Sequence, residues 1–171
     1  MATATHDLTA TYSQPIYIQP DKTPEYQALE RFCGTWKTVG KRSRSPIGPA
    51  GNVSALERYE WLSGNRFLMH RFDGQVGEEE NSFSEVIGYD AESQSYPVHS
   101  YYEDGISTES RYWERGITWI LIGTVPSGKA TRVRCTVVFN SAGDRMTSRW
   151  EYSKGDVDWT TFSELDSKRL K

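Results

Sequence analysis

Short segments in which apolar and polar residues alternate follow one another along most of the chain. Alternation over about four to eight residues is the pattern of a half-buried β-strand. Turn residues such as Ser63-Gly64-Asn65 and Lys154-Gly155-Asp156 separate nearly all of these segments. The pattern predicts ten strands, over residues 35–42, 53–62, 66–73, 81–89, 96–102, 108–114, 118–123, 131–140, 146–153 and 159–165.

A helical period precedes the first strand. Thr23-Pro24 fits a helix start, with an N-cap threonine and a proline in the first turn. Leu29 and Phe32 then lie on one apolar stripe, and Gly34 is expected to end the helix. Residues 1–22 are polar and predict a flexible arm, whereas residues 23–171 predict a single domain.

Regular short strands joined by tight turns indicate an up-and-down antiparallel sheet. An open sheet of ten strands would expose two unpaired edges, so closure is favoured. We therefore expect an all-β protein: an antiparallel up-and-down β-barrel of about ten strands with one short N-terminal helix. Several strands are apolar on both faces, so the helix, the arm or a partner subunit should cover part of the outer face. A homodimer is one such arrangement.

The charge balance argues against several classes of partner. The 171 residues include 20 Lys or Arg and 23 Asp or Glu, a net charge of −3. No long-range attraction to nucleic acid or to an anionic membrane is therefore expected. No apolar stretch approaches the roughly 18 residues that span a bilayer, and no secretion signal opens the chain. These features predict a cytoplasmic protein whose two cysteines, Cys33 and Cys135, are free.

Six segments, taken in order, resemble a lipocalin-like (calycin-type) family of small bacterial proteins known mainly as a domain of unknown function. They are LERFCGTW (29–36), YEWL (59–62), FLMHR (67–71), IGYD (87–90), HS (99–100) and RWEY (149–152). The resemblance covers about residues 24–168 and implies a barrel of about ten strands. It also implies that an arginine from a late strand stacks on the indole of Trp36, and Arg149 is the candidate.

The Gly34-Thr35-Trp36 opening is also similar to that of the nitrobindin-type haem barrels. Their haem ligand is a histidine close to the C-terminus, and the last histidine here is His99. That ligand position has no counterpart, and no nucleotide-binding motif is present, so no cofactor is expected.

Candidate chemistry centres on two histidines whose proximity depends on strand register. If His70 pairs with Phe83 and Glu85 pairs with His99, then one face collects both histidines, the carboxylate and Tyr101. A slip of one residue would break this cluster. The predicted catalytic residues are His70, Glu85, His99 and Tyr101.

This cluster could serve in several ways. It could orient a bound ligand with hydrogen bonds, it could move protons, or it could form a structural network. A divalent-metal site is the weakest of these interpretations, because no helical His-x-x-x-His spacing supports it. The predicted ligand-binding residues are Tyr59, Trp61, Leu68, Phe83, Arg111 and Trp113.

Aromatic residues make up 13% of the chain, which suits a barrel with an apolar cavity. The function predicted from these features is binding of a small apolar or mixed-polarity molecule inside the barrel. The alternative is a cofactor-independent isomerase or cyclase of natural-product type, in which the cluster would move protons.

Overall fold

The computed structural model describes residues 23–125, 131–153, 155 and 158–171. Within those residues it contains one helix, α1 (Pro24–Leu29), and ten strands. The strands are β1 (Gly34–Arg42), β2 (Gly51–Trp61), β3 (Leu68–Val76), β4 (Glu79–Ile87), β5 (Tyr96–Tyr102), β6 (Ser107–Arg115), β7 (Thr118–Val125), β8 (Thr131–Phe139), β9 (Arg145–Ser153) and β10 (Thr160–Arg169). The predicted arm, residues 1–22, lies outside the described residues.

The ten strands form one closed antiparallel barrel. Each strand pairs with its neighbours in sequence, and β10 pairs with β1 to close the sheet. Tight hairpins support this order, because Gly77 and Gly116 both adopt a φ of +65° in the turns after β3 and β6. The predicted ten-stranded barrel with one short N-terminal helix is confirmed.

Alternation along the strands separates an inner face from an outer face. In β8 every second side chain from Thr131 to Phe139 is buried. Inward side chains near α1, including Phe139 at the end of β8, fill one end of the barrel, which we call the closed end. There the Phe32 ring contacts the rings of Tyr59, Trp119 and Phe139 at centroid distances of 5.0–5.4 Å.

Trp36 anchors the first strand to this closed end. Its indole N–H donates a hydrogen bond of 2.7 Å to the Phe32 carbonyl, and the guanidinium of Arg169 lies 4.3 Å from its ring. The prediction that Arg149 stacks on Trp36 is wrong. Strand β10 continues past residue 165 to Arg169, which pairs directly with Trp36, whereas Arg149 is exposed and pairs with Glu164.

The predicted register around His70 and Glu85 is also wrong. A two-residue turn between β3 and β4 places His70 opposite Glu85 rather than Phe83. The next turn is closed by a bridge between Asp90 and Ser95, so Glu85 lies opposite Ser100 rather than His99. Because this second shift is a single residue, His99 and Tyr101 point to the outer face.

Large apolar side chains remain on the outside of the barrel. Tyr101 is 52% exposed and Trp113 is 37% exposed. A homodimer that covers them stays a prediction.

Candidate functional site

A cavity of about 390 Å³ occupies the barrel between the closed end and the opposite end. Residues at the strand ends opposite α1 border it, so we call that end the mouth. Most of the wall is apolar and includes Val53, Phe72, Val76, Phe83, Ile106, Val133, Val137, Phe162 and Leu165. Such a chamber suits a small molecule, because ligand sites are usually concave and mostly apolar.

Three charged side chains from neighbouring strands interrupt this apolar wall deep inside the barrel, away from the mouth. Glu57 on β2, His70 on β3 and Glu85 on β4 all line the cavity, and each is at least nine-tenths buried. The Nε2 atom of His70 lies 2.9 Å from Glu57 Oε2, and its Nδ1 atom lies 2.8 Å from Glu85 Oε2. We call these three residues the charged cluster.

Neighbouring hydroxyl groups complete the hydrogen bonds of the two carboxylates. Ser100 donates a 2.8 Å hydrogen bond to Glu85 Oε1, and Tyr59 donates one of 3.2 Å to Glu57 Oε2. Thr38 donates to Glu57 Oε1 and lies 2.6 Å from the Oγ of Ser167. The resulting polar chain runs through consecutive strands from β10 to β5, which fixes each member before any ligand arrives.

The charged cluster holds His70 in its protonated form. Burial alone would lower the pKa of the imidazole, but the hydrogen bonds and charges of Glu57 and Glu85 outweigh it and raise that pKa to about 9. Burial would likewise raise the pKa of Glu57, yet the hydrogen bond and charge of His70 lower it overall. The Tyr59 ring stacks on the imidazole at 3.9 Å, nearly parallel, and covers one face.

This arrangement decides what the charged cluster can offer to a ligand. Both N–H groups of His70 donate to carboxylates, so the ring has no free lone pair with which to accept a proton. The hydroxyl groups of Ser100 and Tyr59 also donate to those carboxylates. Unused lone pairs on the carboxylate oxygens remain, and the charged cluster therefore presents hydrogen-bond acceptors to the cavity.

The structure brings four of the sequence-predicted site residues to the cavity: His70, Glu85, Tyr59 and Phe83. Trp61 and Leu68 instead pack into the closed end. The other four lie on the outer face, where His99 approaches Glu109 at 3.5 Å and Arg111 binds Asp90 at 3.1 Å. Tyr101 and Trp113 are the remaining two, exposed on the same side.

Glu57, Ser100 and Arg42 border the site but were absent from the sequence prediction. Glu57 carried a usable signal, because it occupies the inward phase of β2 between Ala55 and Tyr59. A charged residue in the apolar phase of a strand is expected to have a buried partner. Ser100 carried no such signal, since its inward position depends on the length of one turn.

A family model describing a "Protein of unknown function (DUF1579)" matches residues 21–169. The chain belongs to this DUF1579 family. The resemblance to a calycin-type family of unknown function is thereby confirmed. No curated protein matches the chain.

Solved structures share the fold of this DUF1579 protein at low sequence identity. Rv2717c from M. tuberculosis is 14% identical with a TM-score of 0.64, over 88% of this chain and 100% of that one. The S-type phycobiliprotein lyase CPES from Guillardia theta is also 14% identical, with a TM-score of 0.58, over 92% and 98% of the two chains. These likenesses establish the barrel fold.

Among the described residues, no group of three or more His, Cys, Asp or Glu side chains is arranged to hold a metal ion. The thiol of Cys135 borders the cavity, and burial raises its pKa well above the usual value, which disfavours the reactive thiolate. None of the helices in the described part of the chain is long and apolar enough to cross a membrane.

Proposed function

We propose that this protein binds a small organic molecule with an apolar body and a hydrogen-bond donor that meets the charged cluster. One observation carries the proposal: two carboxylates, fixed by His70, border a mostly apolar cavity of about 390 Å³. A donor on the ligand would use carboxylate lone pairs that no donor among the described residues occupies. Small-molecule sites commonly combine an apolar wall with a few fixed polar groups in this way.

Binding fits the geometry better than proton transfer does. The alternative isomerase or cyclase needs a group beside the substrate that gains and loses a proton near neutral pH. His70 is held as an imidazolium by two carboxylates, with a pKa of about 9. Burial also raises the pKa of the phenols of Tyr59 and Tyr112 well above 10, so neither phenol ionises near neutral pH.

A pair of two-ring ligands tests the proposed binding. 4-Phenylphenol carries one hydroxyl donor, whereas 4-methoxybiphenyl has nearly the same shape and no donor. We expect 4-phenylphenol to bind about tenfold more tightly or better, since a hydrogen bond to a charged group contributes roughly 1.5–3 kcal/mol. Isothermal titration calorimetry at pH 7 measures both affinities.

A matched pair of substitutions locates the binding site. Val133→Trp fills the cavity from an inward position of β8, whereas Val39→Trp places the same side chain on the outer face, where Val39 is 45% exposed. We expect the first variant to lose 4-phenylphenol binding and the second to keep it. Equal affinity for both ligands, or equal binding by both variants, would contradict the proposal.

A further inference from the structure

Arg42 is a cation at the mouth of the cavity. It is the last residue of β1, and the alternation that turns Trp36 and Thr38 inward also turns Arg42 inward. Its guanidinium lies 5.7 Å from the centroid of the Phe162 ring, and both side chains border the cavity. Arg42 is therefore held against the wall at the mouth of the barrel.

One hydrogen-bond donor of this guanidinium is not used by any residue that the structure describes. Its Nε atom is buried and has no hydrogen-bond partner among the residues that the structure describes. Arg111, Arg134 and Arg145 each bind a carboxylate at 2.8–3.1 Å. No such ion pair joins Arg42 to any residue of the described ranges. A buried donor without a partner costs free energy that a ligand could recover by accepting a hydrogen bond.

The mouth and the charged cluster have opposite hydrogen-bonding character. The charged cluster presents acceptors, and Arg42 presents donors. Thr38, which contacts Glu57, precedes Arg42 by four residues on the same strand, which corresponds to roughly 13 Å along the barrel wall. A ligand lying lengthwise in the cavity would meet both sets of groups at its two ends.

We infer that the ligand is an amphipathic organic monoanion whose carboxylate binds Arg42 while its donor end reaches Glu57 and Glu85. This inference rests on the proposed function and adds the second recognition group. A planar guanidinium matches a carboxylate with two parallel hydrogen bonds.

A monoanion suits the mouth better than a dianion because acidic residues lie nearby. Asp104 borders the cavity, and its Oδ1 already accepts the Ile106 N–H at 3.0 Å. Glu79 acts electrostatically on Arg42 from the start of β4. Arg42 supplies one positive charge for a ligand carboxylate, and every further negative charge on the ligand adds repulsion from these carboxylates, so a phosphate dianion is disfavoured more than a monoanion.

The test adds one charged group to the ligand already used above. 4'-Hydroxybiphenyl-4-carboxylate carries the hydroxyl group of 4-phenylphenol at one end and a carboxylate at the other. We expect it to bind about tenfold more tightly than 4-phenylphenol or better, because the hydrogen bonds are charge-assisted. The affinity of biphenyl-4-carboxylate, which lacks the hydroxyl group, should lie between the affinities of these two ligands.

Two substitutions of the same type separate the local contact from the overall charge. Arg42→Met should bring the affinity for 4'-hydroxybiphenyl-4-carboxylate down to no more than the affinity for 4-phenylphenol measured on the same variant, and an unchanged circular-dichroism spectrum shows that the variant is folded. Arg44→Met removes one exposed charge from the neighbouring loop and should keep the gain.

Each outcome is informative about a different claim. Tight 4-phenylphenol binding without a carboxylate gain, or a gain that survives Arg42→Met, would overturn the anion site alone. If 4-phenylphenol binds no better than 4-methoxybiphenyl, the failure belongs to the proposed function instead.

Discussion

The closed end and the charged cluster are buried to nearly the same degree but differ in the polarity of their side chains. Trp36 has no exposed surface and His70 is 4% exposed. Around Trp36 the neighbours are aromatic rings and one stacked arginine, whereas around His70 they are two carboxylates beside an open cavity. The first region fills its space, and the second leaves space next to fixed charges.

This difference separates what the two regions contribute. Packed aromatic side chains stabilise the barrel through burial and dispersion. Apolar residues in place of a whole buried ion pair are often as stable, because desolvation offsets most of the attraction, although the loss of one charge from such a pair is costly. Fixed charges beside a cavity are therefore better explained by recognition than by stability, which is the basis of the proposed function.

The largest effect is expected from breaking the closed end. Trp36→Ala should lower the free energy of unfolding by about 3–5 kcal/mol, because it removes a fully buried indole and leaves a void. Urea denaturation at pH 7 measures this change. Trp113→Ala on the outer face is the matched control and should cost about 1 kcal/mol or less. Similar losses in the two variants would show that Trp36 is not an anchor.

The fold of this chain was accessible from sequence because each strand carries its own alternation and its own turn. Residues such as Gly77 and Gly116 mark hairpins whose pairing is local. No long-range information is needed to order strands that pair with their neighbours in sequence. The end of β10 was harder, because nothing before Arg169 indicates that the strand continues to meet Trp36.

The candidate site was less accessible because it depends on register. The sequence analysis was correct that His70 and Glu85 lie on one face. The pairing of β3 with β4 differs from the predicted pairing by two residues, and a shift of two residues leaves every side chain on the same face. His99 was placed on the wrong face, because a bridge between Asp90 and Ser95 changed the pairing by one residue. Neither closing residue of this turn is a glycine, so the sequence did not indicate the shift.

The second expected effect is a loss of stability at alkaline pH that originates in the charged cluster. The pKa of His70 is raised from 6.5 when unfolded to about 9 when folded, so its contribution is complete below pH 6.5 and disappears as the pH rises through 9. The free energy of unfolding should fall by up to about 3 kcal/mol across that interval. The pKa of Glu57 is lowered, so the stability that Glu57 contributes is present at neutral pH and is lost as the pH falls below 4.5.

Substitutions of the two carboxylates in the charged cluster, and of His99 as a control, sharpen this pH test. Glu57→Gln combined with Glu85→Gln should abolish the alkaline loss, because burial without a carboxylate lowers the pKa of His70. His99→Gln should leave the loss intact, since His99 is on the outer face. Urea midpoints measured from pH 5 to pH 10 report both. An unchanged profile in the double variant would mean that another group titrates.

A smaller effect is expected from the arginine that covers Trp36. Arg169→Met should cost about 1–2 kcal/mol, because it removes a cation–π contact and hydrogen bonds to the carbonyl groups of Arg31 and Gly143. Arg149→Met should stay within about 0.5 kcal/mol of the wild type. Thermal melting of the two variants compares them directly. If Arg149→Met proved the more damaging, the pairing of Trp36 with Arg169 would be incorrect.

The smallest effect on ligand affinity is expected at His99, which the sequence analysis had placed in one cluster with His70. His99→Gln should change the affinity for 4-phenylphenol less than twofold, because His99 lies outside the barrel near Glu109 and away from the cavity lining. His70→Gln should weaken binding by at least several-fold, since both N–H donors of an amide lie on one nitrogen and cannot hold Glu57 and Glu85 as the two separate ring nitrogens do. Calorimetric titration of each variant gives the ratio. An equal loss in both would return His99 to the site and require a binding surface on the outer face.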